Sequence, residues 1–192
     1  MRFAPLTGAI LGLGVLGLGA VPASADGPPA LTASKIWQVK LPDQSTADGG
    51  MGPIAQSSPI PADLDRLGPA VLVGDRKGYL WALHASDGSN VRGWPVRTGT
   101  YATGPIDAPA SVLRFPGDRH DTVFIGVGTD EHPVATYGYQ SFSSQGQRRW
   151  GAQATDVQPE PFHVHGVTAG LAVGRIGQGG YGVFAGTTAQ AS

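Results

Sequence analysis

Short segments in which apolar residues fill every second position recur along the chain, and turns rich in glycine, proline and aspartate separate them. This period of two is typical of β-strands. In segment 79–84, Tyr79, Trp81 and Leu83 fall on one face of the predicted strand, and its other face is also largely apolar. We therefore expect a sheet with neighbouring layers packed on both of its sides.

Tryptophan marks a repeat among these segments. Trp37, Trp94 and Trp150 are separated by 57 and 56 residues. A period of about 50 residues is typical of β-propeller blades. The even spacing favours a packing position shared by successive blades over a sugar-binding role for these tryptophans.

Glycine closes the second strand of each predicted unit, at Gly74, Gly126 and Gly186, which are 52 and 60 residues apart. A first strand of small residues precedes each of them, and an aromatic fourth strand follows in the first two units. We predict an all-β fold, namely a partial β-propeller of about two and a half four-stranded antiparallel blades. A β-sandwich of short strands is the alternative.

The predicted organisation has five parts. They are a signal peptide at 1–25, a linker with the closing strand of a preceding blade at 26–56, blade 1 at 57–106, blade 2 at 107–164 and an incomplete blade 3 at 165–192. A closed propeller has about four to eight blades. We therefore expect either an N-terminal fragment of a longer gene product or self-association that closes the ring.

The leader has the features of a secretory signal peptide. Arg2 supplies the positive start, an apolar stretch runs from Leu6 to Val21, and Ala23-Ser24-Ala25 forms a cleavage site. This stretch is shorter than the ~20 apolar residues that a membrane-spanning helix needs. We predict a secreted, extracellular protein that is not inserted in a membrane after cleavage.

Composition removes several functional classes. The chain has no cysteine, which excludes disulfides, thiolate metal sites and a cysteine nucleophile. Its net charge of −1 offers no basic excess for nucleic acid. Thirty glycines and sixteen prolines argue against long helices, because they cost about 1 and 3 kcal/mol each inside a helix. The chain has neither a G-x-S-x-G elbow nor a phosphate loop, and no catalytic residue is predicted.

Residues 71–84 (Val-Leu-Val-Gly-Asp-Arg-Lys-Gly-Tyr-Leu-Trp-Ala-Leu-His) resemble the propeller repeat of quinoprotein-type (PQQ-like) proteins. Gly88 and Trp94 stand where that repeat has a later glycine and tryptophan. Segments 58–65 and 93–96 are also similar to the FG-GAP/VCBS repeats of secreted bacterial proteins. Both resemblances imply a propeller and leave the activity open, because such propellers have many unrelated functions.

The FG-GAP resemblance implies a calcium loop, of which Asp63 and Asp65 retain two carboxylates. Leu67 occupies the third place of that loop, although calcium takes about six to eight oxygen ligands. In the alternative interpretation the two aspartates cap a turn, with Arg66 as their partner.

A second pair of candidate metal ligands lies at His163 and His165. In an extended chain both side chains point the same way, so that two imidazoles could bind one Zn²⁺ or Cu²⁺ ion. Glu160 could add a carboxylate. The alternative is a pair of exposed polar positions on a strand, because the spacing shows no third ligand.

These features predict a secreted, non-enzymatic propeller-repeat scaffold that binds a protein or glycan partner and needs no cofactor. The alternative is an enzyme, either a fragment of a PQQ-dependent-type oxidoreductase or a propeller-bearing hydrolase. PQQ belongs to that alternative alone, and calcium would bind at Asp63 and Asp65.

Overall fold

The computed structural model describes residues 33–41, 54, 56–99, 104–128, 137–154, 162–186 and 188–191. The chain divides into two compact units, Met1–Ser34 and Lys35–Ser192. Nearly all described residues belong to the second unit, and every described strand lies within it. The predicted signal peptide at 1–25 lies outside the described residues.

The described part of the chain contains β-strands and no helix. In chain order the strands are β1 (Ile60–Ala62), β2 (Ala70–Gly74), β3 (Tyr79–His84), β4 (Val96–Arg97), β5 (Ser111–Leu113), β6 (Thr122–Val127), β7 (Gly138–Phe142), β8 (Arg148–Gln153), β9 (Phe162–Gly166), β10 (Ala172–Ile176), β11 (Gly180–Phe184) and β12 (Thr188–Ala191). Strands β1 to β4 and β5 to β8 each form a four-stranded sheet in chain order, and two pairs, β10 with β11 and β9 with β12, follow. All strand pairings are antiparallel, which confirms the predicted all-β class.

Asp75 organises the turn between β2 and β3. Its buried carboxylate accepts hydrogen bonds from the backbone N–H of Lys77 at 2.9 Å and of Tyr79 at 2.8 Å. It also accepts one from the indole N–H of Trp81 at 2.9 Å. Gly78 completes the turn at a φ of 79°, in the left-handed region that favours glycine. This turn fixes the register of β2 against β3 through interactions that are local in sequence.

The strand register recurs along the chain. The position that repeats lies two residues before Gly74, Gly126 and Gly186. Its pairs are Leu72 with Ile60 and Ala82 in the first sheet, Phe124 with Ser111 and Ser141 in the second, and Phe184 with Ala172 in the β10–β11 hairpin. The hairpin therefore corresponds to the first two strands of each complete sheet.

Blade 3 is predicted to span residues 165–192 and to begin with a strand of small residues. In the structure, β9 ends at Gly166, and β10 is the strand that pairs with β11. Val167 packs against Gly126 of the second sheet, so closely that a Cβ added to Gly126 would overlap the Val167 side chain. The first strand of the hairpin, β10, starts five residues after Val167, at Ala172.

A buried apolar cluster joins the first and second sheets, and a smaller one joins the second sheet to the β10–β11 hairpin. In both junctions a residue from the segment that follows the sheet lies directly on a glycine of its second strand, where no Cβ would fit: Ile106 on Gly74 in β2, and Val167 on Gly126 in β6. The backbone N–H of Ile106 also donates to the carbonyl of the residue after Gly74 at 3.0 Å, and that of Val167 donates to the residue after Gly126 at 3.2 Å. We call this arrangement the inner joint.

A second joint lies near the outer strands. The indole N–H of Trp37 donates to the carbonyl oxygen of Ala85, at 2.8 Å, in the turn between β3 and β4. The indole N–H of Trp94 donates to the carbonyl oxygen of Ser144, at 2.9 Å, in the turn between β7 and β8. The two acceptors are equivalent. Ala85 follows His84 and Ser144 follows Ser143, and in each turn the backbone N–H of that preceding residue donates the hydrogen bond that closes the turn. We call this contact the outer joint.

Glycine makes room for the outer joint. The two turns carry Gly88 and Gly146, both at a φ of 74°. A Cβ on Gly88 would lie 2.8 Å from the ring of Trp37, and a Cβ on Gly146 would overlap the carbonyl oxygen of Gly93. The close approach of one segment to the next thus depends on two glycines at equivalent positions.

Candidate functional site

A groove opens between the second sheet and the β10–β11 hairpin, with a volume of about 440 Å³. We call it the aromatic groove, because four of its lining side chains are aromatic. Its lining residues are Phe115, Thr122, Phe124, Ser141, Arg149, Trp150, Val173, Tyr181 and Val183. Pockets of this kind, mostly apolar with a few polar groups, are typical ligand sites.

Trp150 lines this groove and forms no outer joint with a described residue. Trp94 and Trp150 occupy equivalent positions in the two complete sheets. Two residues after Trp94, Val96 pairs with Leu80 of β3, and two residues after Trp150, Ala152 pairs with Tyr139 of β7. Trp94 is 6% exposed in its outer joint, whereas Trp150 is 43% exposed. Among the described residues, the indole N–H of Trp150 has no hydrogen-bond acceptor.

The aromatic rings of the groove are held in edge-to-face contact. The rings of Phe115 and Tyr181 are 4.8 Å apart at an interplanar angle of 80°, and those of Phe115 and Phe124 are 6.4 Å apart at 61°. Such geometry is favourable for aromatic pairs and fixes the ring positions. Tyr181 is nevertheless 42% exposed, so that it and Trp150 present aromatic surface to solvent.

Polar groups line one side of the groove. Arg149 donates to the hydroxyl of Thr122 at 3.3 Å and approaches the carboxylate of Asp118 at 3.5 Å. Its guanidinium remains half-exposed and retains donors that could meet hydroxyl or carbonyl groups of a ligand. Aromatic surface beside hydrogen-bond donors suits a ligand with one apolar face and several polar groups.

The predicted calcium ligand Asp63 lies at the contact of the two complete sheets. Its carboxylate accepts a hydrogen bond from Arg114 at 2.6 Å and faces Nδ1 of His120 at 3.1 Å. Arg114 also donates to Asp121 at 3.1 Å, and the backbone N–H of Asp63 donates to the Asp121 carboxylate at 2.8 Å. The hydrogen bond with His120, supported by Arg114, holds the pKa of the Asp63 carboxyl below its usual value of 3.8. The structure thus pairs Asp63 with Arg114 and His120, which lie beside strands of the second sheet.

The second predicted calcium ligand, Asp65, has different partners. One carboxylate oxygen accepts a hydrogen bond from the backbone N–H of Leu67 at 2.8 Å, which caps the turn after β1. The other lies 3.6 Å from Nε2 of His84. Within the described ranges, no three histidine, aspartate or glutamate side chains come together as a metal site.

The other predicted metal ligands, His163 and His165, belong to β9 by their backbone, where His163 pairs with Gln190. Their side chains, like the whole of Glu160, lie outside the described residues. The histidine site therefore stays a prediction.

Sequence reasoning missed the aromatic groove itself. Phe115 follows β5 and Tyr181 lies in β11. No pattern in the sequence around either residue predicts the contact between their rings. The signal that could have indicated the groove is the third tryptophan of the repeat, since a shared packing position requires a partner turn for each tryptophan.

No protein-family model and no curated protein matches this chain. Among the described residues there is no helix of the length and apolar character that a membrane span requires.

Proposed function

We propose that this chain is an exported scaffold built from β-propeller blades, and that the aromatic groove binds an extracellular glycan or protein partner without catalysing a reaction. The observation that carries the proposal is the recurrence of both joints. The inner joint repeats on Gly74 and Gly126, and the outer joint repeats at Trp37 and Trp94.

Recurrent joints favour a propeller over a β-sandwich. In a sandwich, two sheets face each other once and have no reason to repeat one contact with the next unit along the chain. In a propeller, each four-stranded sheet meets the following one in the same way. The segment containing Trp37 contacts the first sheet as Trp94 contacts the second, which agrees with its assignment to a preceding blade.

A binding role is supported by what the groove contains. Exposed Trp150 and Tyr181 can stack on the apolar face of a sugar ring or on an apolar side chain, and Arg149 can donate hydrogen bonds beside them. The described lining residues do not include a nucleophile placed beside a general base. The groove therefore supports recognition better than catalysis.

Ligand titration tests the binding proposal. A panel of soluble oligosaccharides and peptides would be added to the purified protein, with the change in tryptophan fluorescence followed by calorimetry of any ligand found. Trp150→Ala should remove the response, and Leu67→Ala, which changes an exposed side chain away from the groove, should retain it. A ligand that binds both variants equally would contradict the assignment of the groove.

Reconstitution with PQQ tests the proposal that the protein does not act as a quinoprotein-type dehydrogenase. Purified protein would be incubated with PQQ and Ca²⁺, passed through a desalting column and measured for absorbance and dehydrogenase activity. The proposal predicts no retained chromophore. A stoichiometric, active quinone complex would favour the oxidoreductase alternative.

A further inference from the structure

Strand β11 has an open edge. It pairs with β10 along one side, and no described strand pairs with its other side. In the two complete sheets, the corresponding strands β2 and β6 are paired on both sides. Within the described part of the chain, the backbone N–H and C=O groups along this edge of β11 have no strand partner, and such groups readily template another strand.

The sequence of this edge carries none of the usual protection. Charged residues and proline on edge strands discourage pairing with other chains. β11 reads Gly-Tyr-Gly-Val-Phe, without charge or proline. The outermost strands of the complete sheets are protected, since β1 contains Pro61, β4 contains Arg97, Arg114 directly follows β5, and β8 begins with Arg148 and Arg149.

We propose that β11 pairs antiparallel with β11 of a second copy of this chain across a two-fold axis at Gly182. The pairing would join two hairpins into one four-stranded antiparallel sheet, in the order β10, β11, β11 and β10. Four strands are the number in each of the two complete sheets of this chain. The proposal goes beyond the binding function assigned to the aromatic groove and does not depend on it.

Side chains along β11 are complementary in this register. An axis at Gly182 places Phe184 opposite Gly180 of the second copy and Tyr181 opposite its Val183. Phe184 is 59% exposed in the single chain, and a large ring next to a strand glycine covers backbone that glycine leaves bare. Tyr181 and Val183 lie on the other face, toward the groove.

The assembly closes at two chains. Two-fold pairing uses the same edge on both partners and leaves no second copy of that edge. The far edge of the joined sheet is β10, which carries Arg175 and lies against β5 of its own chain. We therefore expect a dimer rather than an open series.

Sedimentation equilibrium and light scattering on the purified protein test the proposal. The expected result is a concentration-dependent mass that approaches twice that of one chain. Phe184→Lys should raise the dimer dissociation constant at least tenfold, because the lysine adds a charge to the edge. Leu67→Lys is the matched control, since Leu67 is 75% exposed and lies away from β11, and it should dimerise as the wild type does.

Cysteine cross-linking supplies a second test that also works if Phe184→Lys does not fold. The chain has no cysteine, so each introduced thiol is unique. Directly opposed residues of antiparallel strands have Cα atoms about 4.5–5.5 Å apart, within disulfide range. A mixture of Tyr181→Cys and Val183→Cys proteins should therefore cross-link faster than either protein alone. A wild type that stays monomeric, a Phe184→Lys protein that dimerises like the control, or a mixture that cross-links no faster would overturn the proposal.

Discussion

Trp94→Phe is the substitution that most sharply tests the outer joint. The wild-type indole donates its N–H to the Ser144 carbonyl at 2.9 Å. Its ring is 6% exposed and lies 6.2 Å, centroid to centroid, from Phe142 of the second sheet. Phenylalanine retains an aromatic ring at this position but removes the donor and the outer part of the indole.

The size of the effect follows from two losses. A hydrogen bond contributes about 1 kcal/mol net, and Ser144 as a residue is half-buried, so we expect water to replace the donor only in part. The smaller ring leaves a void in a packed cluster, and full truncation of a buried aromatic costs about 3–5 kcal/mol. We expect Trp94→Phe to lower the free energy of unfolding by about 2 kcal/mol in total.

Urea denaturation followed by circular dichroism measures this change without relying on tryptophan fluorescence. With a slope of about 2 kcal/mol per molar urea, the midpoint should fall by about 1 M. Trp150→Phe is the matched control, because the same exchange is made at a tryptophan that is 43% exposed. It should change stability by less than about 0.5 kcal/mol. Equal midpoint shifts for the two variants would refute the reasoning.

Three further predictions concern the inner joint and two titrating groups. Gly126→Ala should lower the free energy of unfolding by about 1–3 kcal/mol, because the new Cβ overlaps Val167. Gly186→Ala is the control in the same urea experiment and should be nearly neutral, because no described atom lies within 4 Å of its Cβ. Asp63 has a lowered pKa in the folded state, so its contribution to stability is present above pH 3.8 and is lost as the pH falls below that value. In denaturation curves measured at decreasing pH, Asp63→Asn should therefore lose less stability in acid than the wild type. An equal loss in the two proteins would contradict the pairing of Asp63 with Arg114 and His120. Burial raises the pKa of Tyr139 above 10.0, so stability should fall as pH rises beyond that value, and Tyr139→Phe should remove this loss in urea denaturation curves measured at increasing pH.

The strands that the sequence predicts well are those whose register is local. The β2–β3 hairpin is determined by the apolar run before Gly74 and by the Asp75 carboxylate, whose hydrogen bonds reach no further than Trp81. By contrast, β10 contains Gly174 and Arg175 and shows no clear alternation. It is a strand because β11 pairs with it, and single-segment patterns do not report that pairing.

Candidate sites were harder to predict because their partners are distant in sequence. Asp63 invites a local interpretation as a calcium ligand, yet its partners Arg114 and His120 are 51 and 57 residues away. The even tryptophan spacing likewise predicted a common packing position, which the structure provides for Trp37 and Trp94. Trp150 differs because its environment depends on which turn packs over it, and tertiary structure decides this.

Hydrogen exchange of the four indole N–H groups, followed by two-dimensional nuclear magnetic resonance, tests the recurring outer joint most directly. The account predicts slow exchange for Trp94, protection for Trp37 and for Trp81 through Asp75, and exchange of Trp150 at nearly the rate of a free indole. Equal exchange rates at Trp94 and Trp150 would contradict it.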